Sequence, residues 1–319
     1  MDSLDQLIAP INVDDFFRHY WHRMPLHIPG TAQKFARFPG ISELPAILSG
    51  RLTPGRWIGG QIPSAQASFL DRTGKVRNFH AVPAMWPDLF NAGTSLCFPA
   101  VDHCHEQLKQ FVENVTSTIR LPGKVVTTCY LTPPSSGSEM HIDSQHVFFM
   151  QVAGKKHWTI SNQPAWENSP INFQLSMLDD AKVKAFLSSA GAVIRQPEAV
   201  GMIELELNAG DVLYLPPGFW HQARTSDSSS LHYTLTFMPL SPWHLLVAYL
   251  RRTVLECPSL RRDLRYAAQC GDGDTRDLIE AGIQQLKKAV DDLTADNIES
   301  FFAEIGSVND QLKGYLTQA

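Results

Sequence analysis

The chain has 319 residues, 44% of them apolar and 18% charged, with 21 Pro and 20 Gly, the balance of a folded globular protein and not of a disordered or fibrous one. Its net charge of −5 gives no overall attraction to nucleic acid, although local basic patches stay open. Five cysteines (Cys97, Cys104, Cys129, Cys257 and Cys270) form no CxxC pair, which argues against a disulfide framework or a cysteine-only zinc site and fits a reducing compartment.

The N-terminus, MDSLDQLIAP, is acidic and lacks the basic start and apolar core of a signal peptide. No stretch reaches the roughly 18 consecutive apolar residues that cross a bilayer. A cytoplasmic location is the expectation, and in that setting the sequon Asn114-Val115-Thr116 is a chance match.

Residues 13–24, VDDFFRHYWHRM, predict an amphipathic helix opened by an acidic first turn and stopped by Pro25. LHIPG then reads as a short strand and turn, and residues 31–60 mix Pro, Gly and small helical pieces. The spacing of Leu108, Phe111, Val112, Val115 and Ile119 predicts a helix from His103 to Arg120. From about Val125 the texture becomes β. VVTTCYLT reads as a strand, PPSSGS as a loop, HIDSQHVFFMQV as a strand, Ala153-Gly154 as a tight turn and KKHWTI as the returning strand of a hairpin. GMIELEL, DVLYLP, WHQARTS and SLHYTLTFMPL follow as strands, interrupted by a polar loop and a helix around Asp179–Ala190. Short strands separated by Gly/Pro turns predict a sandwich or barrel. After Pro242, WHLLVAYLRRTVLE, SLRRDLRYAAQC, TRDLIEAGIQQLKKAVDDL and NIESFFAEIG are helix-like, broken by CGDGD. The fold class is therefore mainly β with α: a helical lead-in and a central β-barrel at about 125–240, together residues 1–240, then a C-terminal helical appendage at 241–319.

On a strand, residues two apart share a face. His141 and Asp143 then present an imidazole and a carboxylate side by side, and His146, of opposite parity, turns away. His221, where a strand begins after Pro216-Pro217-Gly218, is the better third ligand. Two histidines and one carboxylate on one face of a metal leave its other face open, the facial triad of non-haem Fe(II) oxygenases. A His-x-Asp pair alone is common on protein surfaces, so the flanking pattern decides. Lys156 lies fifteen residues after His141 on the returning strand. Inside a barrel its ammonium needs an anionic partner, which the far carboxylate of a 2-oxo acid supplies; on the surface it would simply be solvated. Lys155 has the opposite parity and is expected to be the exposed lysine. Thr234 and Thr236 share a strand face with His232, where their hydroxyls either bond a carboxylate or sit on an ordinary strand.

YLTPPSSGSEMHID, VFFMQVAGKKHW, LNAGDVLYLPPGFWHQA and SLHYTLTF together resemble, in this order, the motifs of the JmjC-type, cupin-like oxygenases that use Fe(II) and 2-oxoglutarate, within them the ribosomal oxygenase branch. DDFFRHYWHRMPLHIPG is similar to that branch's opening segment, so the resemblance covers roughly residues 13–30 and 125–240. It implies a double-stranded β-helix (cupin or jelly-roll) core and Fe(II) held by His141, Asp143 and His221. It implies that Lys156 pairs with the distal carboxylate of 2-oxoglutarate, and that Tyr130, Thr236 and Ser138 lie near this cosubstrate. The implied reaction consumes 2-oxoglutarate and O2, releases succinate and CO2, and hydroxylates a side chain of a peptide or protein. The alternatives are the same chemistry on a small molecule or a tRNA base, demethylation of a methylated lysine, and a metal-binding cupin that does not use 2-oxoglutarate. Three departures stand out: Thr128 where relatives often carry Asn, Thr236 where they often carry Ser, and no basic residue between Pro216 and Gly218. About eighty residues follow Pro239, room for that branch's helical dimerisation segment, and hence for a homodimer through the C-terminal helices, but not for its full winged-helix domain.

Other residues read more plainly. His103, Cys104 and His105 in VDHCHEQ are expected at a helix start and not in a second metal site. Arg251, Arg252, Arg261, Arg262 and Arg265 are expected on a solvated or ion-paired face, with contact to RNA or an acidic partner as the lesser alternative. Phe149, Trp158 and Trp220 either wall the pocket or fill the core.

Overall fold

Val147 to Gln151 are buried without a break, because the strand that carries them is covered on both faces. The structure is a computed structural model describing residues 1–48, 65–70, 76–119, 123–239, 241–261 and 275–305. Its strands in chain order are β1 (Leu26–Ile28), β2 (Ala65–Leu70), β3 (Val76–Ala81), β4 (Ser95–Pro99), β5 (Gly123–Thr132), β6 (His141–Ile142), β7 (His146–Ala153), β8 (Lys156–Ser161), β9 (Phe173–Gln174), β10 (Met202–Leu207), β11 (Val212–Leu215), β12 (His221–Arg224) and β13 (Ser230–Pro239). They form two antiparallel sheets. One has the order β1-β11-β7-β13-β5-β4-β2-β3, the other β10-β8-β12-β6-β9. From β5 to β8 and from β10 to β13 successive strands cross between the sheets, as in a double-stranded β-helix, or jelly roll.

Strand alternation separates two cores. Val147 and Phe149 of β7 and Leu213 and Leu215 of β11 face inward, against Trp158 and Ile160 of β8 and Ala223 of β12. Phe148 and Met150, with Leu231, Tyr233, Leu235 and Phe237 of β13, face outward. The N-terminal helices cover that outer face through Leu4, Leu7, Ile8 and Phe16, and helix Glu106–Ile119 covers it through Leu108, Phe111, Val112 and Val115. Residues 232, 234 and 236 of β13 therefore point into the barrel.

Several sequence expectations need correction. HIDSQHVFFMQV is not one strand: His141–Ile142 belongs to the five-stranded sheet and His146–Ala153 to the eight-stranded one. KKHWTI does not return as a hairpin. β7 pairs with β11 and β13, whereas β8 pairs with β10 and β12. The Ala153-Gly154 turn thus carries the chain from one sheet to the facing one, with Gly154 at φ +67. Strands before residue 125 also join the large sheet, β1 beside β11 and β4 beside β5. The first long helix runs only Val13–His19, capped by the Asn12 side chain accepting from Asp15 N–H at 2.8 Å. It stops short of Met24 because His22 takes the left-handed conformation (φ 62) and sends Trp21 onto the large sheet. The helix expected from His103 begins at Glu106, after a single 3-10 turn at Val101–Cys104.

The chain divides into two compact units, Met1–Pro239 and Leu240–Ala319. In the second, Ser241 and His244 form a capping box for helix Pro242–Glu256. Its Ala248 and Tyr249 pack with Phe301 of helix Ala295–Ile305. Arg252 donates to Glu256 at 2.7 Å and lies over the Tyr249 ring, as an ion-paired face requires. Arg262, Arg265 and the CGDGD break lie outside the described residues. No helix among the described residues is long and apolar enough to cross a membrane.

Candidate metal and cosubstrate site

β6 and β12 are neighbours, with His141 directly opposite His221. Residues so paired share a face, and the two imidazole centroids lie 4.1 Å apart. Asp143 follows β6. Its Oδ1 lies 4.0 Å from His141 Nε2 and its Oδ2 3.4 Å from His221 Nε2. Among the described residues these three form the one group of three or more His, Cys, Asp or Glu side chains compact enough to close on a single ion. The structure thus brings the predicted triad together, and it leaves His103, Cys104 and His105 out of any such group.

The tautomers follow from backbone contacts. His141 Nδ1 lies 2.7 Å from Glu139 O and His221 Nδ1 3.0 Å from Phe219 O. A carbonyl only accepts, so both Nδ1 atoms carry the proton and both Nε2 lone pairs face Asp143. His221 Nε2 is buried and has no hydrogen-bond partner, as suits an atom that donates to a metal. Burial, with His221 nearby, pushes the His141 imidazole below its ordinary 6.5. For Asp143, burial acts upward, but the His221 and His141 imidazoles outweigh it and hold the carboxyl below its ordinary 3.8. Near neutral pH His141 is therefore a neutral imidazole and Asp143 a carboxylate, the forms in which they bind metal. The residues present therefore fit a divalent metal with an open face.

A tight turn holds Asp143 in register. Gly218 N–H donates to Asp143 O at 2.8 Å and Gly218 O accepts from Ala165 N–H at 2.7 Å. Gly218 sits at φ +83, and a Cβ there would fall 1.9 Å from Trp166 O. Gly218→Ala is expected to cost on the order of 3 kcal/mol through backbone strain, roughly a 6–12 °C fall in Tm for a unit this size, and to weaken metal binding with it. Calorimetry and a divalent-metal titration read both; an unchanged Tm would refute the strain argument.

His146 does turn away from the triad, in the other sheet. Its Nδ1 lies 2.8 Å from the Tyr214 hydroxyl and its Nε2 3.1 Å from His22 Nε2, and Trp21 stacks on it at 3.7 Å. Lys155 is exposed and pairs with Glu206 at 3.0 Å. Lys156 is 4% exposed and points into the barrel from the start of β8. On that strand Ile160 is the residue opposite His221. Four residues separate the lysine from the metal level, about 13 Å of strand, with Trp158 between them on the same face. Trp158 and Phe149 lie 6.3 and 5.8 Å from the His221 ring. They wall this interval, and the Trp158 indole N–H is buried without a protein acceptor.

The remaining predicted residues divide. Tyr130 stacks on His232 at 4.9 Å. The Cys97 thiol opposite it, with burial, pushes its phenol well above 10, so it stays a neutral hydroxyl. Thr236 faces inward on β13, whereas Thr234 makes a long 3.4 Å bond to Thr128 O. Ser138 Oγ accepts from Ala223 N–H at 3.1 Å, which fastens it to β12 two residues after His221. Two residues that sequence reasoning did not single out also reach the lysine: Nζ donates to Thr132 Oγ1 at 2.9 Å and lies 3.3 Å from His232 Nδ1. Their signal was their parity: Thr132 shares a β5 face with Tyr130, and His232 shares one with Thr234 and Thr236.

Residues 103–244 match the family model described as the JmjC domain. This stretch resembles a JmjC domain. The matched stretch holds every residue of the triad and the lysine pocket. The chain is 23% identical over 307 residues to the uncharacterized protein YxbC of Bacillus subtilis, covering 92% of this chain and 89% of that one. It is 27% identical over 266 residues to ribosomal oxygenase 1 of Gallus gallus, covering 82% of this chain but only 40% of the relative. The Escherichia coli protein ycfD shares its fold, with a TM-score of 0.54 at 20% identity over 77% of this chain and 57% of that one. A structure of YcfD with cobalt and 2-oxoglutarate aligns with a TM-score of 0.51 at 19% identity. The chain thus spans less than half of the avian ribosomal oxygenase.

Proposed function

We propose that this protein is an Fe(II)- and 2-oxoglutarate-dependent oxygenase that hydroxylates a side chain in a peptide or protein. The observation that carries the reading is one barrel interior holding an open-faced His-Asp-His set and, further along the same wall, a buried lysine with no acidic partner among the described residues. A ribosomal oxygenase among the relatives and 2-oxoglutarate bound in a protein of the same fold support it.

In this reading His141, Asp143 and His221 hold the iron through Nε2, a carboxylate oxygen and Nε2. Lys156 binds the distal carboxylate of 2-oxoglutarate. Tyr130 and Thr236 line the cosubstrate's pocket, and Ser138 steadies β12 beside it. Phe149 and Trp158 exclude water between metal and lysine. Bound iron supplies the redox chemistry that splits O2, one atom going to succinate as 2-oxoglutarate loses CO2 and the other into the substrate's C–H bond. The protein's part is positioning, so no general acid or base is required of it.

The test is succinate formation under air with Fe(II) and ascorbate, with ribosomal-protein peptides, tRNA or small metabolites added in turn. Iron-dependent succinate stimulated by the peptides supports the proposal. Stimulation by tRNA or a metabolite alone would replace the substrate class. No turnover together with no binding of 2-oxoglutarate to metal-loaded protein would leave a metal-binding cupin.

The same reading includes a cytoplasmic homodimer. Helix Thr275–Asp291 presents Ile279, Ile283, Leu286 and Val290, each 41–51% exposed, at the 4-3-4 spacing of a helix-pairing seam. Ile283→Glu with Leu286→Glu is expected to give monomers in sedimentation velocity, while 2-oxoglutarate binding persists. An unchanged sedimentation coefficient would remove this helix from the interface.

A further inference from the structure

A lysine ammonium has three N–H donors and no acceptor. In Lys156 the chain itself takes two of them. One goes to Thr132 Oγ1 at 2.9 Å, at the end of β5. A second goes to His232 Nδ1 at 3.3 Å, on β13. As an ammonium, the form that pairs with a carboxylate, the lysine can only donate, so His232 is then neutral with its proton on Nε2. Burial, and the charge of Lys156 beside it, push that imidazole well below its ordinary value, which agrees. The imidazole cannot rotate freely. Tyr130 lies flat against it, 3° from parallel at 4.9 Å, and Phe149 and Trp158 close on it at 6.1 Å each. With two bonds set by two strands, the direction of the third N–H is fixed.

We propose that His232 and Thr132 aim the third N–H of Lys156 and thereby make the site selective for the five-carbon 2-oxo diacid over its shorter and longer homologues. The inference rests on the 2-oxoglutarate reading above. Metal and lysine are anchored on one wall, so a diacid must span a set interval. A lysine held at two points cannot follow a chain one methylene shorter or longer, whereas a lysine freed of one acceptor can swing to meet it. Preorganisation of this kind gives discrimination because the misfit ligand cannot recover its lost bond. His232 is a positioning residue: it acts through Lys156.

The test uses full-length protein loaded with Mn(II), titrated calorimetrically with 2-oxoglutarate, oxaloacetate and 2-oxoadipate. The unaltered protein should prefer 2-oxoglutarate. His232→Phe keeps the stacked ring but removes the acceptor. It should lose about tenfold or more for 2-oxoglutarate with little change for 2-oxoadipate, so the preference shrinks while Mn(II) affinity and Tm hold. His232→Gln, which keeps an acceptor, should restore most of the preference. Thr132→Val removes the other acceptor and should shrink the preference in the same way, so the question remains answerable if His232→Phe fails to fold. Equal losses for all three diacids, or an unaltered preference in both variants, would overturn the proposal. So would an unaltered protein that does not discriminate. Lys156→Ala runs alongside: if it binds 2-oxoglutarate as the unaltered protein does, the cosubstrate reading itself fails, an outcome distinct from a failure of His232 alone.

Discussion

Asp143→Ala is expected to abolish iron-dependent succinate formation and to weaken metal binding by more than the roughly 10–100-fold that loss of an outer-shell partner costs. Asp143 is the one anionic member of the set, and its two oxygens face the Nε2 atoms of His141 and His221 at 4.0 and 3.4 Å. Without it only two imidazoles remain to hold a dication. The backbone link from Gly218 N–H to Asp143 O does not involve the side chain, so the fold should persist. Unaltered far-UV circular dichroism with lost Fe(II) binding and lost turnover is the expected pair of results. Turnover retained at the unaltered rate would mean that the ligand set is misassigned.

Lys156→Ala is expected to raise the Kd for 2-oxoglutarate at least about thirtyfold, the lower end of what truncating one partner of a buried charge pair costs, while Fe(II) affinity holds. The pH dependence gives a second signature. Burial pushes the free lysine from its ordinary 10.5 down to about 7. Among the described residues the titratable group beside it is His232, with Tyr130 stacked on that ring, and neither is negatively charged near neutrality. A bound carboxylate favours the ammonium and raises its pKa, so ligand binding takes up a proton above pH 7. Affinity should be flat below about pH 7 and then fall about tenfold per unit until the raised pKa of the complex is reached. Stability of the ligand-free protein has the opposite sign. Its folded-state pKa lies below the unfolded one, so the unfolded chain holds more protons between about pH 7 and 10.5, and stability rises across that window. Calorimetric Kd values from pH 6 to 9 check the first statement. A flat profile that survives in Lys156→Ala would take the lysine out of the binding site.

Much of the site was legible because its chemistry is carried by residue type and parity. The i, i+2 spacing of His141 and Asp143 and the Pro-Pro-Gly turn before His221 point to a shared ligand set. The parity of Lys155 and Lys156 separated the exposed from the buried lysine, as the ion pair to Glu206 on one and the Thr132 bond on the other bear out. The helix carrying Leu108, Phe111 and Val115 was legible because one face alone is apolar, the pattern an amphipathic helix needs.

Strand partnership was not legible. VFFMQVAGKKHWTI has the texture of a hairpin, yet its two halves lie in facing sheets. A turn reverses direction in either case, and β7 is apolar on both faces, so no alternation marks which neighbour it takes. For the same reason the break at Asp143-Ser144-Gln145, where the chain leaves β6 for β7, carries no signal of its own. β2, β3, β4 and helix Leu4–Ile8 passed unrecognised, since their stability comes from the layer they join more than from local propensity.

The sequence by itself determined the candidate ligand types, their order along the chain, the lysine that a barrel would bury and the β-rich core between helical ends, because these follow from composition, turn residues and strand parity. The tertiary structure alone decided that His141 faces His221 across two strands and that Thr132 and His232 hold Lys156 from two others. Those contacts join residues 80, 24 and 76 positions apart, and only the crossing of strands between two sheets sets them side by side; short-range spacing carries no record of it.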